Sequence, residues 1–213
     1  MFRIDHFRGF AGYYEIPASC PTAEEGVWLP GPGKALFDAI ERVLGPLPIV
    51  AEDLGLITPD VFELRDGCGF PGMKILQFGF GTDATDEFLP HNWGRNFVAY
   101  TGTHDNHTVR GWWQTATERE RSYAGSYLPA NDNDIHWAMI RACCNSVANI
   151  AVHQMQDVLG LSLDHRMNVP GTVGDHNWTW RFDWNMVDAE ATRVLGLITA
   201  ASGRTAFGFA QLR

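Results

Sequence analysis

The chain has 213 residues, 45% of them apolar and 19% charged. That length and composition fit one globular domain, or at most two small ones, and argue against disorder. The 16 Lys and Arg against 25 Asp and Glu give a net charge of −9. An acidic chain without a basic run argues against nucleic acid or an anionic membrane as partner, and no stretch reaches the ~20 apolar residues that span a bilayer. No basic-then-apolar leader precedes the first structured residues. Cys20, Cys68, Cys143 and Cys144 contain no C-x-x-C pair, which fits a reducing compartment and predicts a cytoplasmic protein.

In chain order, Phe2–Phe7 reads as a strand. Leu36, Phe37, Ile40, Val43 and Leu44 then recur at helical spacing until Gly45. Pro48–Glu52 is a second strand. Thr58 and Pro59 open a short helix as cap and first residue, and Gly67 closes it. Met73–Phe78 and Asn96–Thr101 are the third and fourth strands. Thr117-x-x-Glu120 has the form of a capping box ahead of a helix. A longer helix is predicted from Ile135 to Val152, with Ile135, Met139, Cys143, Val147 and Ile150 on one face. Gln154–Leu161 reads as a fifth strand, residues 160–184 as loop, and residues 188–203 as a last helix with Ala191, Val194, Leu195, Ile198 and Ala201 as its stripe.

Alternating strands and helices imply parallel pairing with helical crossovers. No Gly-x-Gly-x-x-Gly follows the first strand, so a dinucleotide fold loses its main support. A (β/α)8 barrel needs eight strands in typically about 250 residues, and about five are legible. Three carboxylates end apolar strands: Asp5, Glu52 and Asp105. Barrel enzymes place catalytic groups at that position, and two facing carboxylates are what glycosidic-bond chemistry needs. One protonates the leaving oxygen, and the other attacks the anomeric carbon or activates water. A third stabilises the oxocarbenium-like transition state. A metal site built from Asp5, His6, His104, Asp105 and His107 is one competing reading, but the sequence offers no His-x-His; a remnant that binds glucan weakly or is inactive is another. A cap or salt-bridge role for each acid is the plainer one. Trp178 and Trp180 flank Asn177, and Trp112 and Trp113 follow the Asp105 loop. Sugar stacking and core packing are both open to these four.

Arg3-Ile-Asp-His-Phe-Arg-Gly9, Ala51-Glu-Asp-Leu-Gly55, Phe70-Pro-Gly-Met-Lys74, Thr101-Gly-Thr-His-Asp-Asn106, Gln156-Asp-Val-Leu-Gly160, Arg166-Met-Asn-Val-Pro170 and Asn177-Trp-Thr-Trp-Arg181 follow one another in this order. Together they closely resemble the 4-α-glucanotransferases, or amylomaltases, over nearly the whole chain. The resemblance implies an α-amylase-type (β/α)8 barrel, a retaining double displacement, maltooligosaccharide and α-1,4-glucan substrates, and neither cofactor nor metal. It implies Asp5 as nucleophile, Glu52 as general acid and base, and Asp105 as transition-state stabiliser. Arg3 is implied to orient Asp5, and His104 and Asn177 to bind substrate. Family members carry a long portion ahead of the Arg-Ile-Asp motif. Residues 1–213 are therefore expected to be a partial catalytic barrel lacking its N-terminal portion, with that missing half as a partner. A poorly stable isolated chain is expected on the same ground, and a monomeric, cooperatively melting preparation with full turnover would contradict it. His107 stands where the family motif usually has aspartate.

Overall fold

The structure, a computed structural model, describes residues 1–129 and 131–205. It divides into two compact units: residues 1–73 with 96–98, and residues 74–95 with 99 onward.

In the first unit, β1 (Phe2–Ile4) pairs in parallel with β4 (Ile49–Ala51), in the register Phe2↔Ile49, Arg3↔Val50 and Ile4↔Ala51. Between them lie a 3-10 turn at Phe7–Phe10, an antiparallel hairpin of β2 (Gly12–Glu15) and β3 (Val27–Pro30), and α1 (Gly33–Leu44). Gly45, at φ 73°, ends α1 in a backbone conformation open mainly to glycine. The predicted stripe of α1 is only partly inward. Phe37 is buried, whereas Val43 and Leu44 are exposed. The core joins Phe7, Phe37, Ala51 and Val61. Phe7 stacks on Phe37 at 5.5 Å, and Phe70 meets Phe37 edge-on at 5.2 Å. Burying Phe7 completely stabilises the unit by about 1.5–3 kcal/mol, and it pins the chain two residues beyond Asp5. α2 (Pro59–Gly67) begins as expected with proline in its first turn. Thr58, however, makes no side-chain hydrogen bond to a helical N–H.

β5 (Gly72–Ile75), β6 (Phe97–Tyr100) and β7 (Ile150–Val152) form a three-stranded sheet in that order. The third predicted strand is shorter than its apolar run, because residues 76–80 coil into a 3-10 turn. The remaining elements are α3 (Val109–Thr115), α4 (Glu118–Tyr127), α5 (Ile135–Asn145), α6 (Met155–Val158) and α7 (Ala189–Ala201). The capping box at Thr117 is present in full, with Glu120 N–H donating to the Thr117 hydroxyl and the Glu120 carboxylate accepting from Thr117 N–H. The second unit's core gathers Ile140, Cys144, Val158 and Ile198.

Two predicted elements are corrected here. The long helix stops at Asn145 rather than Val152, and the fifth strand is Ile150–Val152, while Gln154–Leu161 holds the short α6. The end is capped locally and from afar: the Ser146 hydroxyl donates to Cys143 O at 2.7 Å. Arg204 donates to the carbonyls of Cys144, Ser146 and Ala148 at 2.7–3.1 Å. These contacts cap α5 from a residue 56 or more positions away. Orphan carbonyls at a helix end are stabilised by such a cation. The hairpin β2–β3 was also not anticipated.

Candidate active site

Parallel pairing builds the first cluster. The β1–β4 ladder ends at Ile4↔Ala51, so Asp5 and Glu52 are the next residues on two strands about 4.8 Å apart. The backbone continues the match: Glu52 N–H donates to Ile4 O at 3.0 Å and Phe7 N–H to Glu52 O at 3.1 Å. One carboxylate oxygen of Glu52 accepts from His6 N–H at 2.6 Å, and the other from Leu54 N–H at 2.9 Å. Arg3 Nη2 lies 2.8 Å from Asp5 Oδ1, and the Asp5 side chain remains 74% exposed. His6 adopts φ 48°, a left-handed conformation unusual for a residue with a side chain. The strain costs on the order of 1–3 kcal/mol and falls between the two carboxylates in chain order, as strained residues do at functional sites.

The second cluster gathers on Asp105. Asn168 Nδ2 donates to Asp105 Oδ1 at 2.6 Å, and His104 Nε2 lies 3.3 Å from Oδ2. Arg166 Nη2 donates to Asp105 O at 2.7 Å. Trp178 packs on His104 at 4.9 Å between ring centroids, and it holds φ 63°. Asn177 uses its amide to close its own loop: Oδ1 accepts from Val169 N–H at 2.8 Å and Nδ2 donates to Thr172. The structure therefore brings Arg3, Asp5 and Glu52 together in one unit. In the other it brings His104, Asp105 and, through the Trp178 neighbour, Asn177.

Asp105 lines a cavity of about 470 Å³ with Gln77, Phe78, Asn106, His107, Trp112 and Arg166, a size ordinary for small ligands. Burial, reinforced by Arg166, lowers the His107 pKa, and its carbonyl accepts from Gln77. A cavity of about 310 Å³ in the first unit lies instead at the N-terminal ends of β1 and β4, lined by Met1, Pro48 and Ile49. That is the end of the strands opposite Asp5 and Glu52. Among the described residues no three His, Cys, Asp or Glu side chains share a metal-binding geometry.

Three supporting residues had no role in the sequence reading. Arg166 and Asn168 sit in a quoted motif, and their signal was the polar Arg-x-Asn pair in an otherwise loop-like stretch. Asp157 is the third. It is buried, and accepts from Thr101 Oγ1 at 2.6 Å and Val109 N–H at 2.7 Å. It thereby ties both ends of the segment carrying His104 and Asp105. Desolvation pushes its pKa up to about 6, against these hydrogen bonds.

The raised value has a pH consequence. Between pH ~4, near the unfolded carboxyl value, and pH ~6, the folded chain holds a proton at Asp157 that the unfolded chain has released. Asp157's contribution to stability is therefore full below pH ~4, falls as pH rises to ~6, and is level above that. His136 and His153, pushed down to about 4 chiefly by burial, act with the opposite sign and lose stability as pH falls below ~6.5. The expected result is that wild type loses about 2–3 kcal/mol relative to Asp157→Asn between pH 4 and 6.5. Urea unfolding of both proteins across that range checks it, and parallel curves would contradict it.

Residues 1–186 match the model of a protein family described as 4-alpha-glucanotransferase. The chain belongs to the 4-α-glucanotransferase family. It is 49% identical over 203 residues to the chloroplastic/amyloplastic 4-α-glucanotransferase of Arabidopsis thaliana, covering 92% of this chain and 35% of that protein. It is 50% identical over 190 residues to the 4-α-glucanotransferase of Thermus thermophilus, covering 85% and 38%. Among solved structures, the amylomaltase from Streptococcus agalactiae in complex with acarbose superposes with a TM-score of 0.90 at 41% identity, over 95% of this chain and 41% of that one. The chain thus spans roughly two fifths or less of the length of these relatives. The α/β fold expected from the sequence, part of an amylomaltase-type (β/α)8 barrel, is the fold these likenesses share. Among the described residues no helix is long and apolar enough to cross a membrane.

Proposed function

We propose that this chain carries the catalytic groups of a 4-α-glucanotransferase, which moves α-1,4-glucan segments from one maltooligosaccharide to the 4-OH of another or to glucose. The observation that carries the reading is the register of β1 with β4, which sets Asp5 beside Glu52, with Glu52 held by the backbone N–H next to Asp5. Asp5, steadied by Arg3, attacks the anomeric carbon while Glu52 donates a proton to the departing glycosidic oxygen. A covalent glucosyl ester on Asp5 results, with the configuration inverted. Glu52, now the base, takes the proton of the acceptor 4-OH, which attacks the same carbon and restores the α configuration. Asp105, fixed by Asn168 and His104, stabilises positive charge on the sugar as the bond to the leaving oxygen breaks. His104 and Trp178 supply polar and aromatic contacts for sugar, and Asn177 keeps their loop in shape. Residues 1–213 supply part of a catalytic barrel on this reading, and the reaction needs no metal or cofactor. The acarbose bound by the Streptococcus agalactiae relative supports an oligosaccharide ligand. Four unpaired cysteines support a reducing, cytoplasmic location.

Maltotriose is the substrate that tests the proposal. Transfer yields glucose with maltopentaose, or maltose with maltotetraose, and then longer chains, all new linkages α by proton NMR, with no net gain of reducing ends. Glucose and maltose in equal amounts with rising reducing ends would make the chain a hydrolase and overturn transfer.

A further inference from the structure

We infer that Trp28 and Arg8 form a binding subsite for a glucose unit of an α-1,4-glucan, apart from the groups that break the bond. The inference rests on the glucanotransferase reading for its ligand and on the first unit alone for its geometry. β3 presents Trp28 with 57% of its surface exposed, paired across the hairpin with Tyr14, whose ring lies 5.3 Å away. The Arg8 guanidinium carbon stands 4.4 Å from the centre of the indole. Such a stack orients both groups, and an arginine against an indole is the favoured cation–π pair.

The stack is held in place from below. Gly31 N–H donates to Ala11 O at 2.9 Å. A Cβ on Gly31 would fall 2.3 Å from Phe10 O, so only glycine lets β3 approach the turn that carries Arg8 this closely. Arg8 is also under-used. A guanidinium has five N–H donors. Among the described residues its one acceptor is the Leu56 carbonyl, 2.6 Å from Nη1, and the buried Nε is closed to a ligand, which leaves Nη2 as the donor a ligand can meet.

A broad indole next to unengaged donors matches a pyranose. The C–H face of the ring packs on the aromatic surface, and the hydroxyls at its rim accept from the guanidinium. A neutral sugar needs no counter-charge, and Arg8 already has the Asp60 carboxylate within electrostatic range. Position along the chain supports the same ligand. Arg8 follows Asp5 by three residues, at most about 11 Å of backbone. Arg8 and Trp28 also belong to the same compact unit as Asp5. A protein partner would need an interface of ~800 Å² a side, more than one hairpin strand and one side chain provide.

Calorimetric titration of the 213-residue chain with maltohexaose tests the assignment, using Trp28→Leu, Trp28→Phe and Arg8→Gln. Far-UV circular dichroism and melting of each variant report folding. Trp28→Leu is expected to weaken binding about tenfold, or ~1.4 kcal/mol. Trp28→Phe keeps an aromatic face and stays within about threefold, and Arg8→Gln falls between them. Equal affinity of wild type and Trp28→Leu overturns the subsite and leaves the glucanotransferase reading standing. Equal loss in Trp28→Leu and Trp28→Phe assigns Trp28 to hairpin packing and also overturns it. A wild-type dimer that Trp28→Leu makes monomeric, with glucan affinity unchanged, makes the face a self-association surface instead. No binding of maltohexaose by the wild-type chain overturns the subsite and the functional reading together.

Discussion

On the proposed mechanism, Glu52→Gln lowers the rate of transfer from maltotriose by about 10²–10⁴-fold, the usual loss when a general acid is removed. The substitution is nearly isosteric, yet it changes two things. It removes the proton that the glycosidic oxygen needs, and it turns one of two acceptor oxygens into a donor. Those oxygens accept from His6 N–H and Leu54 N–H, so one of the two backbone anchors is lost as well. A donor whose leaving group departs unprotonated separates the effects. With α-maltosyl fluoride the first step needs no acid, so Glu52→Gln should form the covalent intermediate at close to the wild-type rate. The intermediate then accumulates, because no base remains to activate the acceptor. Equal slowing with maltotriose and with the fluoride would assign Glu52 to shaping the site rather than to proton transfer.

The first cluster was more legible in the sequence than the elements around it. Asp5 and Glu52 each close a short apolar run, and parallel register converts that shared context into neighbouring positions. Asp105 was legible for the same reason, at the end of Asn96–Thr101. The structural supports were not, because each depends on a partner far away in the chain. Arg204 reaches the carbonyls at the end of α5 from 56 or more residues away, beside the local Ser146 cap. Asp157 lies in the Gln154–Leu161 run that reads as a strand, whereas its carboxylate spans 48–56 residues to Val109 and Thr101. The amide of Asn177 closes the loop that carries Trp178, a contact its own segment does not announce. Local pattern reports which face is apolar. It carries no information about which buried carboxylate or guanidinium finds which backbone group.

Asp53, directly after Glu52, shows how far such a support reaches. It is 8% exposed, as is Arg65, and the two form a buried ion pair. Asp53 Oδ1 also accepts from Met73 N–H at 2.8 Å, so one carboxylate fastens the end of β4 to α2 and to β5. The space is filled: a Cβ on Gly72 would lie 2.3 Å from Asp53 Oδ2. Arg65 is further enclosed by Phe62 and Phe97, its guanidinium carbon 5.1 Å and 5.0 Å from their ring centres. Among the described residues, Asp53→Ala leaves that cation with Asp66 alone, whose side chain is 62% exposed. Breaking a buried pair on one side costs about 3–5 kcal/mol, a large part of the 5–15 kcal/mol that holds a typical domain. Urea unfolding should show that loss, and a change below about 1 kcal/mol would refute it. The cost comes from the stranded charge rather than from a missing attraction, so Asp53→Ala with Arg65→Met should be more stable than Asp53→Ala alone. The double variant should nonetheless transfer glucan more slowly than wild type. Met73 N–H has then lost its acceptor, and the strand end that aims Glu52 is no longer fixed.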